Sequence, residues 1–277
     1  MRRPKPGRSG ALLRHASAFT VVAMVSLAPA AHAWSSRGSE LNAQFPELKK
    51  QKAQLTPIAV AVDVAEFEVD DGKATWIYLD DCRVLARTFE DALVAALGAK
   101  GYVAKALPIL STGQAADPTA TCRVFSAWDK RDRRPKDLSP SAPPFYVDST
   151  LNATPELRSS WRDVLQATRG LKAPRPGASQ TIPLPTTVHE AVGADYVLVA
   201  VGLGTHNVVY RGVGTGGSFG AMTGVADPSP YPGSRLQVAL IDCRDGRVLW
   251  ADNTSDFRAF SVKRMDHLAQ IIVGRMP

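Results

Sequence analysis

Residues 193–204 have the sequence GADYVLVAVGLG, and this stretch decides the fold. From Tyr196 to Leu203 the side chains are apolar, several of them are β-branched, and no polar residue alternates with them. A short continuous apolar run of this kind predicts a β-strand with both faces buried. We expect this strand, continued through Asn207 to Tyr210, to lie at the centre of a sheet.

A second apolar run, IAVAVDVAEFEV at residues 58–69, lies earlier in the chain and predicts another buried strand. The turn sequence Asp70-Asp71-Gly72 follows it, so residues 76–79 are expected to pair back on this strand. A short strand is expected at residues 102–107. Together with the helix between them, these strands indicate a strand, helix, strand unit.

Helices are predicted where apolar residues recur at spacings of three and four. The first runs from about Arg83 to Ala99 and is capped by Asp81. The last runs from Ser261 to Val273, with inward side chains at Val262, Met265, Leu268, Ile271 and Ile272. Between them, Thr154-Pro155-Glu156 begins a helix whose apolar stripe is Leu157, Trp161, Val164, Leu165 and Thr168.

Two further helix starts are predicted from local signals. Asp117-Pro118 indicates a helix that runs through Cys122, Phe125 and Trp128. The sequence Thr187-Val188-His189-Glu190 fits a capping box at the start of a short helix. The charged run at residues 130–134, which is followed by several prolines, predicts an exposed connection.

The C-terminal part of the chain predicts a β-hairpin. Residues 235–242 and 247–250 flank the turn Arg244-Asp245-Gly246. The expected fold class is therefore α/β, with a mixed sheet and flanking helices in one domain, closed by this hairpin and a C-terminal helix. We expect that domain at residues 56–277, with a variable proline-rich middle (130–186) and a Gly-rich loop (211–234).

The N-terminus has the features of a secretory signal peptide. Five basic residues and no acidic ones precede a short apolar segment, and Ala31-His32-Ala33 has the small-x-small form of a cleavage site. We expect cleavage after Ala33, a lead segment at residues 34–55, and a periplasmic or secreted protein. Loss of residues 1–33 lowers the formal net charge from +7 to +2. The basic composition therefore gives no reason to expect a nucleic-acid partner.

Several of these segments resemble one group of bacterial cell-envelope proteins. Two segments are similar to recurrent patterns of that group. They are the strand sequence GADYVLVAVGLG and the hairpin VALIDCRDGRVLWADN (238–253), which contains Asp242, Gly246 and Trp250. It is the superfamily of the curli-secretion protein CsgG, the penicillin-binding-protein activator LpoB and the N-terminal domain of TolB. The resemblance covers roughly residues 55–110 and 186–275.

The resemblance implies a non-enzymatic envelope protein that acts by protein–protein contacts, in an assembly or accessory role. Its partners would be envelope proteins of unknown identity. CsgG and LpoB are lipoproteins, whereas no cysteine follows the cleavage motif here, so no lipid anchor is expected. Contact with a membrane and oligomerisation stay open, and a membrane-associated oligomeric secretion component is the alternative function.

The Gly-rich loop contains two sequences typical of catalysis or cofactor binding. Gly212, Gly214 and Gly217 fit G-x-G-x-x-G, but the following glycines and prolines do not allow the helix that a dinucleotide site needs. Residues 216–220 fit G-x-S-x-G, so Ser218 with Asp242 or Asp252 and with His267 gives a serine-hydrolase alternative. The strand and helix that normally flank such a serine are not evident.

We expect the Gly-rich loop to act as a contact arm. Its larger apolar side chains, which would bind the partner, are Val213, Phe219, Met222 and Val225. Disorder and membrane insertion are the alternatives, because the loop is long enough for both. Its seven glycines are poor strand formers, which is unfavourable for insertion as membrane-spanning strands.

No cofactor and no metal site is expected. The histidines outside the signal peptide, His189, His206 and His267, lack ligand spacing. The three cysteines, Cys82, Cys122 and Cys243, fit no metal or redox motif. Either one disulfide with one buried thiol or three buried thiols would account for them.

Overall fold

A computed structural model describes residues 57–70, 74–77, 79–107, 109, 111–115, 125–129, 134–137, 154–171, 179–207, 233–256 and 260–276. The predicted signal peptide, its cleavage site and the lead segment lie outside these residues.

The described residues form eight strands and four helices. The strands are β1 (Ile58–Asp70), β2 (Ala74–Ile77), β3 (Ala104–Ala106), β4 (Phe125–Asp129), β5 (Arg134–Asp137), β6 (Tyr196–Asn207), β7 (Gly233–Asp242) and β8 (Val248–Asp256). The helices are α1 (Leu79–Ala99), α2 (Pro155–Arg169), α3 (Thr186–Val192) and α4 (Val262–Gly274). No helix in this described part is both long and apolar enough to cross a membrane.

All eight strands belong to one mixed sheet. Seven of them follow the order β5-β4-β2-β1-β6-β7-β8, and β3 pairs with β1 outside this order. β1 and β6 pair in parallel along almost their whole length, from Ile58 opposite Tyr196 to Val69 opposite Asn207. β3 is parallel to the start of β1, and β2 pairs back antiparallel on its end. β7 and β8 continue the sheet beyond β6 as an antiparallel hairpin. The predicted α/β class with a mixed sheet and a C-terminal hairpin is confirmed.

Both faces of the central strands are buried, as their apolar sequences predict. Alternate residues of β1, including Val60 and Val62, face α1 and α4, while Ala59 and Ala61 face α2 and α3. β6 repeats the pattern, with Leu198 on the first face and Val199 on the second. The sheet is therefore the middle of three layers, which explains why neither strand alternates between polar and apolar residues.

The stripe predicted for α2 is confirmed, since its five residues are all buried: Leu157, Trp161, Val164, Leu165 and Thr168. The closing helix is also present, but Val262 lies at its start and is 45% exposed. Ile271, also predicted to face inward, is only half-buried. Ala269 and Val273 are buried in the core instead.

Two predicted helix starts are wrong. α1 begins at Leu79, so Asp81 lies in its first turn, where a negative charge still favours the helix. α3 begins at Thr186, and Pro185 occupies the cap position with no side-chain cap. The capping box expected from Thr187 does not form, because the cap position lies two residues earlier, at Pro185.

The helix expected to run through Phe125 and Trp128 is also wrong, because residues 125–129 form β4. β4 pairs in parallel with β2, and this long-range pairing overrides the local helix signal. Residues 134–137, expected in an exposed connection, form the terminal strand β5. Pro135 is tolerated there because an edge strand has one side free of ladder hydrogen bonds.

The glycines of β6 make room for an aromatic ring. A Cβ atom at Gly202 would lie 3.0 Å from the Phe260 Cζ, 3.1 Å from the Val64 Cγ2 and 3.2 Å from the Leu236 Cδ1. A Cβ atom at Gly204 would lie 2.9 Å from the Phe260 Cδ2. The ring of Phe260, which precedes α4, therefore packs directly on the backbone of the central strand.

Substitution of Gly202 by alanine should lower the free energy of unfolding by about 1–3 kcal/mol, because the new methyl group overpacks a closed core. Urea denaturation of the purified protein measures this change. Gly98→Ala is the matched control, since a Cβ atom there meets nothing within 4 Å. Equal stability of the Gly202 variant and the unchanged protein would contradict this packing.

Candidate functional site

The predicted contact residues Val213, Phe219, Met222 and Val225 lie outside the described residues, as does Ser218. The structure does describe the two strands that the Gly-rich loop joins. β6 and β7 are adjacent and antiparallel, and Thr205 lies opposite Gly233. The predicted boundary at residue 234 is therefore slightly late, because β7 already begins at Gly233. The loop connects neighbouring strands of the sheet, and strands in a ladder lie about 5 Å apart.

A cleft of about 350 Å³ lies over the same ends of β6 and β7, on the face that α2 covers. Its described lining comes from the end of α2 and from three neighbouring strands: Arg169, Leu171, Val201, Leu203, Arg235, Leu236, Gln237, Asn253, Thr254 and Ser255. Two of these side chains are positive, and none of them is negative. The lining combines guanidinium, amide and hydroxyl groups with aliphatic side chains.

The strand register explains how these residues come together. Val201 lies opposite Gln237, which lies opposite Asn253, so the three form one row across β6, β7 and β8. Leu203, Arg235 and Ser255 form the next row on the same face, two residues further along. Residues separated by two along a strand share a face, so both rows point towards α2.

A buried carboxylate lies next to this cleft in the same row. Asp63 of β1 is opposite Val201, and its side chain is wholly inaccessible to solvent. Its Oδ1 accepts hydrogen bonds of 3.2 Å from the Ser111 hydroxyl and 3.2 Å from the Gln114 amide N–H. Its Oδ2 accepts one of 2.8 Å from the Ala115 amide N–H. We call residues 111–115 the Asp63 loop.

Burial raises the pKa of Asp63 to about 6, although the hydrogen bonds from the Asp63 loop oppose the rise. A charged carboxylate loses its hydration inside the protein, and the three donors compensate for only part of that loss. The side-chain amide of Gln114 is also buried, and it has no hydrogen-bond partner among the residues that the structure describes. The buried hydrogen-bonding groups of this region are therefore only partly paired within the described structure.

Arg169 links the Asp63 loop to the cleft. Its Nη1 donates a hydrogen bond to the carbonyl oxygen of Ala115, the same residue whose amide N–H binds Asp63. Ala115 thus connects the buried acid with one of the two cleft arginines through its own amide N–H and carbonyl groups.

Sequence reasoning did not select Asp63, Arg169 or Arg235. Asp63 does carry a signal, because it is the one charged residue within IAVAVDVA at residues 58–65, a stretch predicted to be buried on both faces. A charge at such a position needs hydrogen-bond partners. The two arginines carry no comparable signal, because basic residues at the end of a helix or strand are common on surfaces.

The three residues that carry the resemblance serve the fold. Asp242 is buried, its Oδ2 accepts a 2.6 Å hydrogen bond from Arg244, and this arginine lowers the pKa of the carboxyl group. Gly246 has a φ of 73°, and a Cβ atom there would lie 2.1 Å from the carbonyl oxygen of Ile182. Trp250 is wholly buried in the core. Asp242 and Gly246 thus fix the hairpin turn, and Trp250 packs β8 against the core.

The three histidines singled out in the sequence lie on three different elements. His267 is exposed on α4 and His189 is half-buried on α3, while the structure describes His206 only as backbone of β6. Among the described histidine, cysteine and acidic residues, no group of three or more is placed to hold a metal ion.

Cys82 and Cys243 are buried, unpaired thiols. Burial raises the pKa of each to about 12, so both stay protonated at neutral pH. No disulfide joins these two cysteines in the structure, and Cys122 lies outside the described residues. Cys82 lines a smaller hollow of about 280 Å³ on the opposite face of the sheet, with Phe260 and the half-exposed Val84 and Val262.

Comparison with protein-family models, with curated proteins and with solved structures found no match. The resemblance to the CsgG and LpoB group therefore stays a prediction that depends on the quoted residues alone.

The pKa of Asp63 predicts how stability depends on pH. Folding takes up a proton between the ordinary aspartate pKa of 3.8 and the folded value of about 6. The free energy of unfolding should therefore fall as the pH rises through this window. Between about pH 4 and about pH 7, this group alone should remove about 2 kcal/mol.

Urea denaturation of the protein and of Asp63→Asn across this pH range isolates the effect, because the difference between them cancels the other carboxylates. The variant should lose overall stability, since an amide nitrogen would face one of the N–H donors. Its deficit relative to the unchanged protein should nevertheless shrink by about 2 kcal/mol towards pH 7. If the free energies of unfolding of the unchanged protein and of the variant changed in parallel with pH, Asp63 would have an ordinary pKa.

Proposed function

We propose that this protein is an exported, non-enzymatic component of the cell envelope that acts through protein–protein contacts in an assembly or accessory role. After cleavage following Ala33 it would work in the periplasm or outside the cell. The Gly-rich loop at residues 211–234 is its contact arm, and the side chains that bind the partner are Val213, Phe219, Met222 and Val225.

The observation that supports this proposal is that the two strands joined by the arm, β6 and β7, are neighbours in the sheet. Both ends of the arm are held by β6 and β7, whose residues Val201, Leu203, Leu236 and Val238 are buried. We infer that a connection of this length between two neighbouring strands of the core serves to bind a partner. Binding residues are disproportionately found on loops that a rigid scaffold holds in this way.

The chemistry of the cleft beside the arm also favours binding over catalysis. Its described lining offers hydrogen-bond donors and aliphatic surface, and none of these lining residues is a carboxylate, an imidazole or a thiol. Covalent catalysis by the hydroxyl of Ser255 or Thr254 would need an adjacent base to activate it. Positioned donors next to an apolar floor suit the recognition of a partner or ligand.

A membrane-associated oligomeric secretion component is the second candidate. The position of the arm between adjacent antiparallel strands favours it, because in CsgG hairpins of this placement span the membrane. About 9–11 residues suffice for a strand to cross, and the arm is longer than two such strands. Its glycines and prolines are poor strand formers, which favours the contact function.

A photoreactive amino acid placed at Phe219 in living cells should yield a discrete protein adduct, identified by mass spectrometry. The same probe at Val103 is the matched control, because Val103 is 61% exposed and lies near the start of β1, at the other end of the sheet. That site should give no such adduct. A lipid adduct or a self-adduct at position 219 would instead support the membrane oligomer.

Point variants separate the contact arm from the hydrolase alternative. With the probe moved to Val225, Phe219→Ala should lower the adduct yield at least about tenfold, since a buried aromatic anchor contributes about 2 kcal/mol or more. The neighbouring Ser218→Ala should leave the yield unchanged. Absence of any adduct from an exported, folded protein would contradict the contact function.

A further inference from the structure

The cleft on the α2 face contains neutral polar side chains that the fold itself does not use. Gln237 and Asn253 both line it, and both are half-buried. Neither carboxamide forms a hydrogen bond with another residue that the structure describes. By contrast, Arg169 binds the carbonyl oxygen of Ala115, and both Arg169 and Arg235 have further interactions within the protein. The groups that this cleft offers to a ligand are therefore the amides.

The strand register places the two carboxamides side by side. Gln237 of β7 lies directly opposite Asn253 of β8. Residues paired in this way on one face of an antiparallel ladder have Cβ atoms about 5 Å apart. Each carboxamide has a carbonyl oxygen that accepts hydrogen bonds and an amide nitrogen that donates them. The pair can therefore donate to one group of a small ligand and accept from another.

Aliphatic side chains form the floor beside this pair. Val201 lies opposite Gln237 in the same row, and Leu203 lies two residues further along β6 on the same face. Both are no more than 4% exposed, so closely packed neighbours hold them in place. The cleft therefore suits a ligand in which a hydrogen-bonding unit is joined to an apolar group.

A secondary amide with an aliphatic substituent matches these groups. It has one N–H donor and one C=O acceptor, which complement the two carboxamides. The cleft volume of about 350 Å³ lies near the lower end of the range for small-molecule sites, about 300–1,000 Å³, and suits one or two amino-acid residues. A sugar fits less well, because the aliphatic floor would remove water from its hydroxyl groups without pairing them.

We propose that this cleft binds a neutral peptide unit that carries an aliphatic side chain. Gln237 and Asn253 form hydrogen bonds with the peptide N–H and C=O groups, and Val201 and Leu203 contact the aliphatic side chain. Because both carboxamides are half-buried on paired strands, they lose less conformational entropy on binding than exposed side chains would. The site goes beyond the contact function of the arm, and it needs no residue of segment 208–232.

NMR titration of the purified, isotope-labelled protein tests the site with three probes. These are N-acetyl-leucine N-methylamide, the same compound with every amide nitrogen fully methylated, and N-acetylglucosamine. The N-methylamide should bind at least about fivefold more tightly than the fully methylated analogue, which has no N–H donor. It should also bind more tightly than the sugar, which has an amide but no aliphatic side chain. Its chemical shift changes should centre on Val201, Gln237 and Asn253.

Gln237→Leu should weaken binding of the N-methylamide about fivefold or more, because leucine keeps an aliphatic side chain of similar size and removes the carboxamide. Gln270→Leu is the matched control. It makes the same substitution at an exposed position of α4, which covers the opposite face of the sheet, and should leave the affinity unchanged. Phe219→Ala should also leave it unchanged. A protein that binds the N-methylamide but gives no adduct from position 219 would keep the peptide site and lose the contact function.

Five results would each overturn the peptide site. The fully methylated analogue could bind as tightly as the N-methylamide, the sugar could bind more tightly, or the shift changes could centre outside β6, β7 and β8. Gln237→Leu could keep the full affinity, or all probes could fail to bind at concentrations up to about 10 mM. The comparison of the two leucine compounds uses the unchanged protein, so it decides the question even where a variant does not fold.

Discussion

The parallel pairing of β1 with β6 is the constraint on which the rest of the structure depends. Both strands are apolar on both faces, so each face must be covered by helices. α1 and α4 cover one face, and α2 and α3 cover the other. The close packing of Phe260 on Gly202 and Gly204 joins the C-terminal helix layer to the same central strand.

The candidate sites follow from that register. Asp63, Val201, Gln237 and Asn253 lie in one row across four strands, so the buried acid of β1 and the floor of the cleft belong to one rigid surface. Arg169 connects this row to the end of α2 through Ala115. The segment that we propose as the contact arm joins β6 to β7, two of the strands that line the cleft.

Local periodicity predicted the elements whose burial is regular. The five inward residues of α2 were predicted correctly, because a 3.6-residue period over fifteen positions has no competing interpretation. β4 was predicted as helix, because a proline start signal is local and the pairing with β2 is not. The site residues were missed for a related reason: the row that joins Asp63 to Asn253 is a property of strand register, which a single sequence does not specify.

Native-state hydrogen exchange tests the central claim most directly. If β1, β6 and β7 form one rigid scaffold, the amides of residues 198–203 and 236–241 should exchange only through global unfolding. Their exchange free energies should then equal the free energy of unfolding measured with urea. Exchange of Leu203 and Leu236 through local opening, several kcal/mol below the global value, would show that the strands next to the arm and the cleft open independently, which would contradict the account.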